Sequence, residues 1–152
     1  MAEAANWYDE VAMPALLRAA RTTYGSAIRE AMREAACDDV PRNGVFVIGG
    51  IARNGGALGD IISALGVSKQ AAGQLVDSLV VRGYLDRSVD PQDRRRLTVP
   101  LTERGRLAAA ASRSAVDRVD AEVAKRVGAD AVAHARATLA AMIDVKDAME
   151  ER

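Results

Sequence analysis

Residues 66–105, GVSKQAAGQLVDSLVVRGYLDRSVDPQDRRRLTVPLTERG, change periodicity partway along, and that change decides the fold. In the first part Ala72, Leu75, Val76, Leu79 and Val80 recur at helical spacing and form one apolar face. Ser68 stands at the N-cap, where its hydroxyl can accept from a free amide of the first turn. The helix runs to about Arg82 and Gly83 closes it, because glycine takes the left-handed conformation a tight stop requires. Beyond Gly83 the period falls to two. Leu97, Val99 and Leu101 alternate with Thr98 and Pro100, as in a half-buried strand, and residues 84–89 are its natural partner. Between them Asp90-Pro91-Gln92-Asp93-Arg94-Arg95 puts Asp and Pro at the first two positions of a type I turn, so the hairpin has a charged tip.

On the N-terminal side, Leu58, Ile61, Ile62 and Leu65 mark a short helix that Gly66 ends. Two short helices joined by a glycine turn make a helix-turn-helix, whose second member fits the DNA major groove. A further helix opens near Pro41, carries Val45, Ile48 and Ala52 on one side, and stops at Asn54-Gly55-Gly56. Before it, residues 15–36 carry Leu17, Tyr24, Ile28, Met32 and Ala35 at helical spacing, with Pro14 suited to the first turn. After the hairpin, Thr102 caps a helix reaching about Val127, with Glu103 favourable at its positive end. Gly128 breaks it. A last helix from about Asp130 carries Val132, Leu139, Met142, Ile143 and Met149. Aromatic residues are only 3% of the chain, which favours helix over sheet.

The 152 residues are enough for a real core, and 21 Lys+Arg balance 21 Asp+Glu. The balance is uneven along the chain: residues 66–106 hold 8 basic and 5 acidic groups, a net +3. Such a patch can hold phosphates on a neutral molecule, although on charge counting alone a solvated surface is the better reading. The outward face of the 68–82 helix adds geometry. Gln70 and Gln74 lie one turn apart and suit bidentate pairing with adenine, and Lys69 suits guanine or phosphate. Ala71 and Gly73 are small enough for close backbone approach, and the amides near Ser68 favour a phosphate. For the helix pair alone, an amphipathic pair with a solvated polar face is an equal reading. The run Arg94, Arg95 and Arg96 tips the balance, since guanidinium groups suit phosphates and a narrow minor groove. Asp90 and Asp93 would orient these arginines. A charged edge that merely blunts a hairpin is the competing reading.

Other chemistries find little support. The single cysteine, Cys37, excludes an internal disulfide, and Asp38 and Asp39 beside it disfavour a reactive thiolate; a small apolar packing residue is the expected role. One His, His134, and one Cys fall short of a transition-metal set, and neither a catalytic constellation nor a phosphate loop stands out. No metal, cofactor or enzymatic activity is expected. The longest uncharged run, residues 43–52, is ten residues, too short for a membrane span. The acidic N-terminus lacks an apolar signal core, so a cytoplasmic location is expected.

From Leu58 to Gly105 the sequence resembles the MarR family of bacterial winged-helix transcription regulators. The resemblance rests on Asp90-Pro91-x-Asp93-Arg94-Arg95 and on Leu101-Thr102-x-x-Gly105. It implies a mainly α fold: a winged helix-turn-helix with a two-stranded β-wing over 41–101, flanked by dimerisation helices over 1–40 and 102–152. It further implies a homodimer on pseudo-palindromic double-stranded DNA, commonly a repressor released by a small-molecule effector. Ser68, Lys69, Gln70, Ala71 and Gln74 would meet the major groove, and Arg94 the minor groove. The family's effector pocket would fall between the first two helices and the start of the 102–127 helix, with Tyr24, Ile28 and Gly49 as its candidates here. Gly44, Gly49 and Gly50 in one helix each cost roughly 0.5–1 kcal/mol relative to alanine, so either a close helix crossing or room for a ligand should compensate, the crossing being preferred. Independently, the apolar stripes on the three flanking helices exceed what a compact winged module covers, which favours a symmetric dimer. The alternative is a winged helix that docks protein and not operator DNA.

Overall fold

The computed structural model describes residues 6–41, 43–54, 67–89 and 97–150. Helix α1 (Met13–Glu34) carries Pro14 in its first turn, where a missing N–H costs nothing. It ends earlier than the apolar spacing predicts, because Ala36 adopts the left-handed conformation at φ 52°. The Cys37 amide then reaches back to the Met32 carbonyl at 2.8 Å and the Ala36 amide to Arg33 at 3.1 Å. That pair of hydrogen bonds is a Schellman stop, made here with alanine in the place glycine normally takes.

Helix α2 (Gly44–Asn54) begins three residues later than Pro41 suggests. Asn43 at φ 67° turns the chain first, and its carbonyl accepts the opening helical bonds from Phe46 and Val47. The buried stripe also differs from expectation. Gly44, Val47, Ile48 and Ile51 face inward, whereas Ala52 is exposed and Val45 half-buried. Gly44 sets this orientation: a Cβ there would stand 2.8 Å from Val40 and 3.1 Å from Leu79.

Helix α3 (Lys69–Val81) buries Ala72, Val76 and Leu79. Its end repeats the Schellman pattern with a glycine: Gly83 lies at φ 74°, its amide bonds to Val80, and the Tyr84 amide bonds to Leu79. The chain turns into strand β1 (Ser88–Val89), which pairs antiparallel with β2 (Leu97–Thr98) in the register Ser88 to Thr98 and Val89 to Leu97. Pairing continues at the base through a Leu85–Leu101 bridge. This hairpin stem is the expected wing base. The expected helix at 58–65 and the tip with Asp90, Asp93, Arg94, Arg95 and Arg96 lie outside the described residues.

Helix α4 (Glu103–Val127) opens on the expected Thr102 cap, whose hydroxyl accepts from the Gly105 amide at 3.0 Å. Gly128, at φ 84°, separates it from α5 (Ala129–Glu150). The core gathers Met32, Cys37, Val47, Ile48, Ile51, Val76, Leu79, Tyr84, Leu85, Val99 and Ala108. The chain divides into two compact units, Met1–Val116 and Asp117–Arg152. No helix among the described residues is long and apolar enough to cross a membrane.

Candidate nucleic-acid interface

Burial of Ala72, Val76 and Leu79 fixes which side of α3 is left to solvent. Lys69, Gln70, Ala71, Gly73, Gln74 and Asp77 are all exposed. The Ser68 hydroxyl accepts from the Ala71 amide at 3.2 Å, so the cap is formed as its sequence position suggests. Gly73 has open space around it, with nothing within 4 Å of a built Cβ. The face therefore offers two amide side chains, one ammonium group and a backbone that an approaching duplex can reach closely.

The end of α3 is held by a polar cluster that the sequence did not announce. Tyr84 is fully buried, and its hydroxyl donates to the Asp39 carboxylate. Arg104, in the first turn of α4, donates to Asp39 at 2.9 Å, to the Arg82 carbonyl at 2.6 Å and to the Ala36 carbonyl at 3.3 Å. Its guanidinium also lies over the Tyr84 ring, 4.4 Å from the centroid, a cation–π arrangement. Three segments distant in sequence, the α1–α2 turn, the end of α3 and the start of α4, thus meet on one carboxylate. The Tyr84 hydrogen bond holds the Asp39 pKa below its ordinary value against the opposing effect of desolvation, and the Arg104 charge adds to the lowering. Burial, together with the same bond to Asp39, pushes the Tyr84 phenol well above its usual range.

The Leu101-Thr102-x-x-Gly105 spacing has its explanation here. The Thr102 hydroxyl donates toward the carbonyls of Gly83 at 2.5 Å and Tyr84 at 3.2 Å while capping Gly105. A Cβ at Gly105 would fall 2.1 Å from the Tyr84 carbonyl oxygen, so only glycine lets α4 approach the base of the hairpin. On the solvent side, Arg87 of the hairpin stem pairs with Asp77 of α3, and Ser88 and Thr98 hydroxyls meet across the strands at 2.9 Å.

The three candidate effector residues do not share one cavity. Ile28 lines a cleft of about 210 Å³ with Met32, Cys37, Val40 and Val45. Gly49 lines another of about 510 Å³ with Ala52, Arg53, Ala109, Arg113 and Val116. Half-buried Tyr24 lines neither. The preferred explanation for the α2 glycines, a close helix crossing, holds at Gly44 but not at Gly49, where nothing lies within 4 Å of a built Cβ. Cys37 is buried, and its thiol donates to the Ala35 carbonyl at 3.4 Å, as a packing residue would. His134 is exposed on α5.

Comparison with known proteins agrees with the resemblance carried by the hairpin residues. Residues 38–96 match the sequence profile of the MarR family. Among curated proteins no sequence matches. Among solved structures the chain is similar to a Staphylococcus aureus MepR–DNA complex, at 20% identity and TM-score 0.70, covering 90% of this chain and 99% of that one. It is also similar to the transcriptional repressor CouR bound to a 23-mer DNA duplex, at 20% identity and TM-score 0.68, covering 93% and 99% of the two chains. The transcriptional regulator Tm0710 of Thermotoga maritima follows at 20% identity and TM-score 0.55, covering 91% and 96%. These likenesses establish the mainly α winged-helix fold.

Proposed function

We propose that this chain, whose residues 38–96 carry the MarR-family winged-helix region, is a sequence-specific regulator of transcription that binds double-stranded DNA as a homodimer. The observation that carries the reading is the exposed polar face of α3, capped by Ser68 and held from behind by Arg104, Tyr84 and Asp39. In this reading Ser68, Lys69, Gln70, Ala71 and Gln74 meet the major groove. Arg94, Arg95 and Arg96 reach phosphates or the minor groove, with Asp90 and Asp93 directing them. The DNA complexes of similarly folded MepR and CouR support the assignment.

A second copy of the chain is the natural partner. Leu139, Met142, Ile143 and Met149 on α5 are exposed at spacings of three, one and six residues, which keeps them on one side of the helix. A row of large apolar side chains left in water by one protomer calls for burial by another. Two-fold pairing would present two α3 helices about one turn of DNA apart. Repression, with release by a small apolar-bodied effector, is the regulatory mode we favour. The cleft at Gly49 has a volume within the usual range for such a ligand, roughly 300–1,000 Å³. The winged-helix protein-docking alternative has no observation of its own in its favour.

Selection of bound sites from a random duplex pool tests the proposal. Enrichment of an inverted repeat with half-sites about 10 base pairs apart is the expected result. Enrichment of nothing, or of single unpaired half-sites, would overturn respectively the DNA-binding and the dimeric parts.

A further inference from the structure

Helix α3 carries only two charged residues, Lys69 and Asp77. Asp77 follows Gln70 and Gln74 at i+7 and i+3, so it continues the same outward stripe, and all three are exposed. A carboxylate on the face that must approach phosphates works against binding, through like-charge repulsion and loss of its hydration. It is not left alone. Arg87, on the hairpin stem ten residues further along, reaches across and pairs with it through Nη2 and Oδ1. Both side chains remain more than half exposed, at 53% and 60%. An ion pair this accessible contributes little to folding, so stability is a poor explanation for it.

We infer that the Asp77–Arg87 pair is an affinity-limiting device: Asp77 holds back a cation that would otherwise grip a DNA phosphate. The inference rests on α3 and the wing being the DNA-binding surface. Its logic is one of charge. With both members present the pair is neutral. Removing the carboxylate frees Arg87 for a phosphate, and removing the guanidinium leaves a bare negative charge facing the duplex. Removing both restores neutrality. Any tightening obtained by freeing Arg87 is independent of base sequence, because phosphates carry none. The natural pair therefore trades sequence-independent affinity for dependence on base-edge contacts by residues such as Gln70 and Gln74.

The test uses the full chain and a fluorescent 30-base-pair duplex of random sequence, with binding measured by anisotropy from low to high salt. Asp77→Asn should steepen the log–log salt slope by about 0.9, the value for one added phosphate contact, which amounts to roughly eightfold tighter binding at 0.1 M salt relative to a 1 M reference. Arg87→Gln should weaken binding and flatten the slope. The double variant should return close to the wild type, the gain from one change offsetting the loss from the other. Thermal midpoints of all variants should stay within about 3 °C of the wild type, as expected for exposed surface changes. If the pair instead serves to hold the hairpin against α3, both single variants and the double variant will bind more weakly, and the inference fails. An Asp77→Asn variant that binds like the wild type also overturns it. A wild type that binds no duplex at low salt removes the proposed function itself, and this inference with it.

Discussion

Replacing Gly105 by alanine sets two physical effects against each other within one helical turn. Helix propensity favours the change, since alanine in a helix interior is better than glycine by about 0.5–1 kcal/mol. Packing opposes it. The new Cβ would lie 2.1 Å from the Tyr84 carbonyl oxygen and 3.1 Å from both the Tyr84 carbonyl carbon and the Leu101 Cδ2. Relief requires the start of α4 to back away by about 1.3 Å or more, enough to reach ordinary van der Waals separation. Movement of that size breaks the Thr102 bonds to Gly83 and Tyr84 and pulls on Arg104, whose three oxygen partners lie on two other segments. Overpacking of a tight site costs about 1–3 kcal/mol, and a disturbed cap about 1 kcal/mol more. The net loss is therefore about 1–3 kcal/mol, and at 2–4 °C per kcal/mol for a chain of this size the melting midpoint falls by roughly 2–12 °C. Thermal unfolding followed by circular dichroism measures this, with Gly73→Ala as the comparison, because Gly73 has nothing within 4 Å of its built Cβ. A Gly105→Ala protein that melts at or above the wild-type temperature would refute the packing argument.

Gly73→Ala itself should raise the melting midpoint, by about 0.5–1 kcal/mol of stability, yet weaken duplex binding, because the added methyl stands on the face proposed to approach DNA; equal binding by anisotropy would contradict that role for the face. Ala36→Gly should stabilise the protein by about 1 kcal/mol, since a left-handed alanine carries a steric cost that glycine avoids, and chemical denaturation should show a higher midpoint at unchanged slope. The hydrogen bond from Tyr84 and the Arg104 charge lower the Asp39 pKa in the folded state, so their contribution is present above the ordinary value of 3.8 and lost as pH falls through the folded-state value. Tyr84 shifts the opposite way: its raised pKa contributes stability below the ordinary 10.0 that is lost as pH rises beyond it. Melting midpoints across pH should accordingly drop at both extremes, and Tyr84→Phe should flatten the alkaline drop; an unchanged alkaline limb in that variant would remove Tyr84 as its source.

Much of the architecture was legible because its signals are local. Ser68, Thr102, Gly83 and Gly128 each stand at the end of an apolar period, and each caps or stops a helix as its chemistry suggests. The two Schellman stops show where such reading ends. Gly83 announces the second, but Ala36 gives no sign of the first, because burial of the neighbouring Cys37 and the Arg104 bond to the Ala36 carbonyl impose a conformation that alanine does not favour by itself. The Asp39–Tyr84–Arg104 cluster was illegible for a related reason. Its members are 45 and 65 residues from Asp39, and no periodicity links residues that meet only after folding. In α2 the apolar stripe was misplaced by one residue at its far end because Gly44, having no side chain, does not register as a core position although it packs against Leu79 and Val40. The solvent-facing residues of α3 could be named from the sequence since a helix with one apolar face leaves the other to solvent.

Binding of the proposed kind requires this surface to grip phosphates while α3 reads bases. Its most direct test is the salt dependence of binding to a duplex selected from a random pool, comparing wild type with Arg94→Ala. The wild type should show a linear fall of log affinity with log salt, and the variant a slope shallower by about 0.9 per lost contact. Binding that is absent at low salt, or that Arg94→Ala leaves with the same slope, would contradict it.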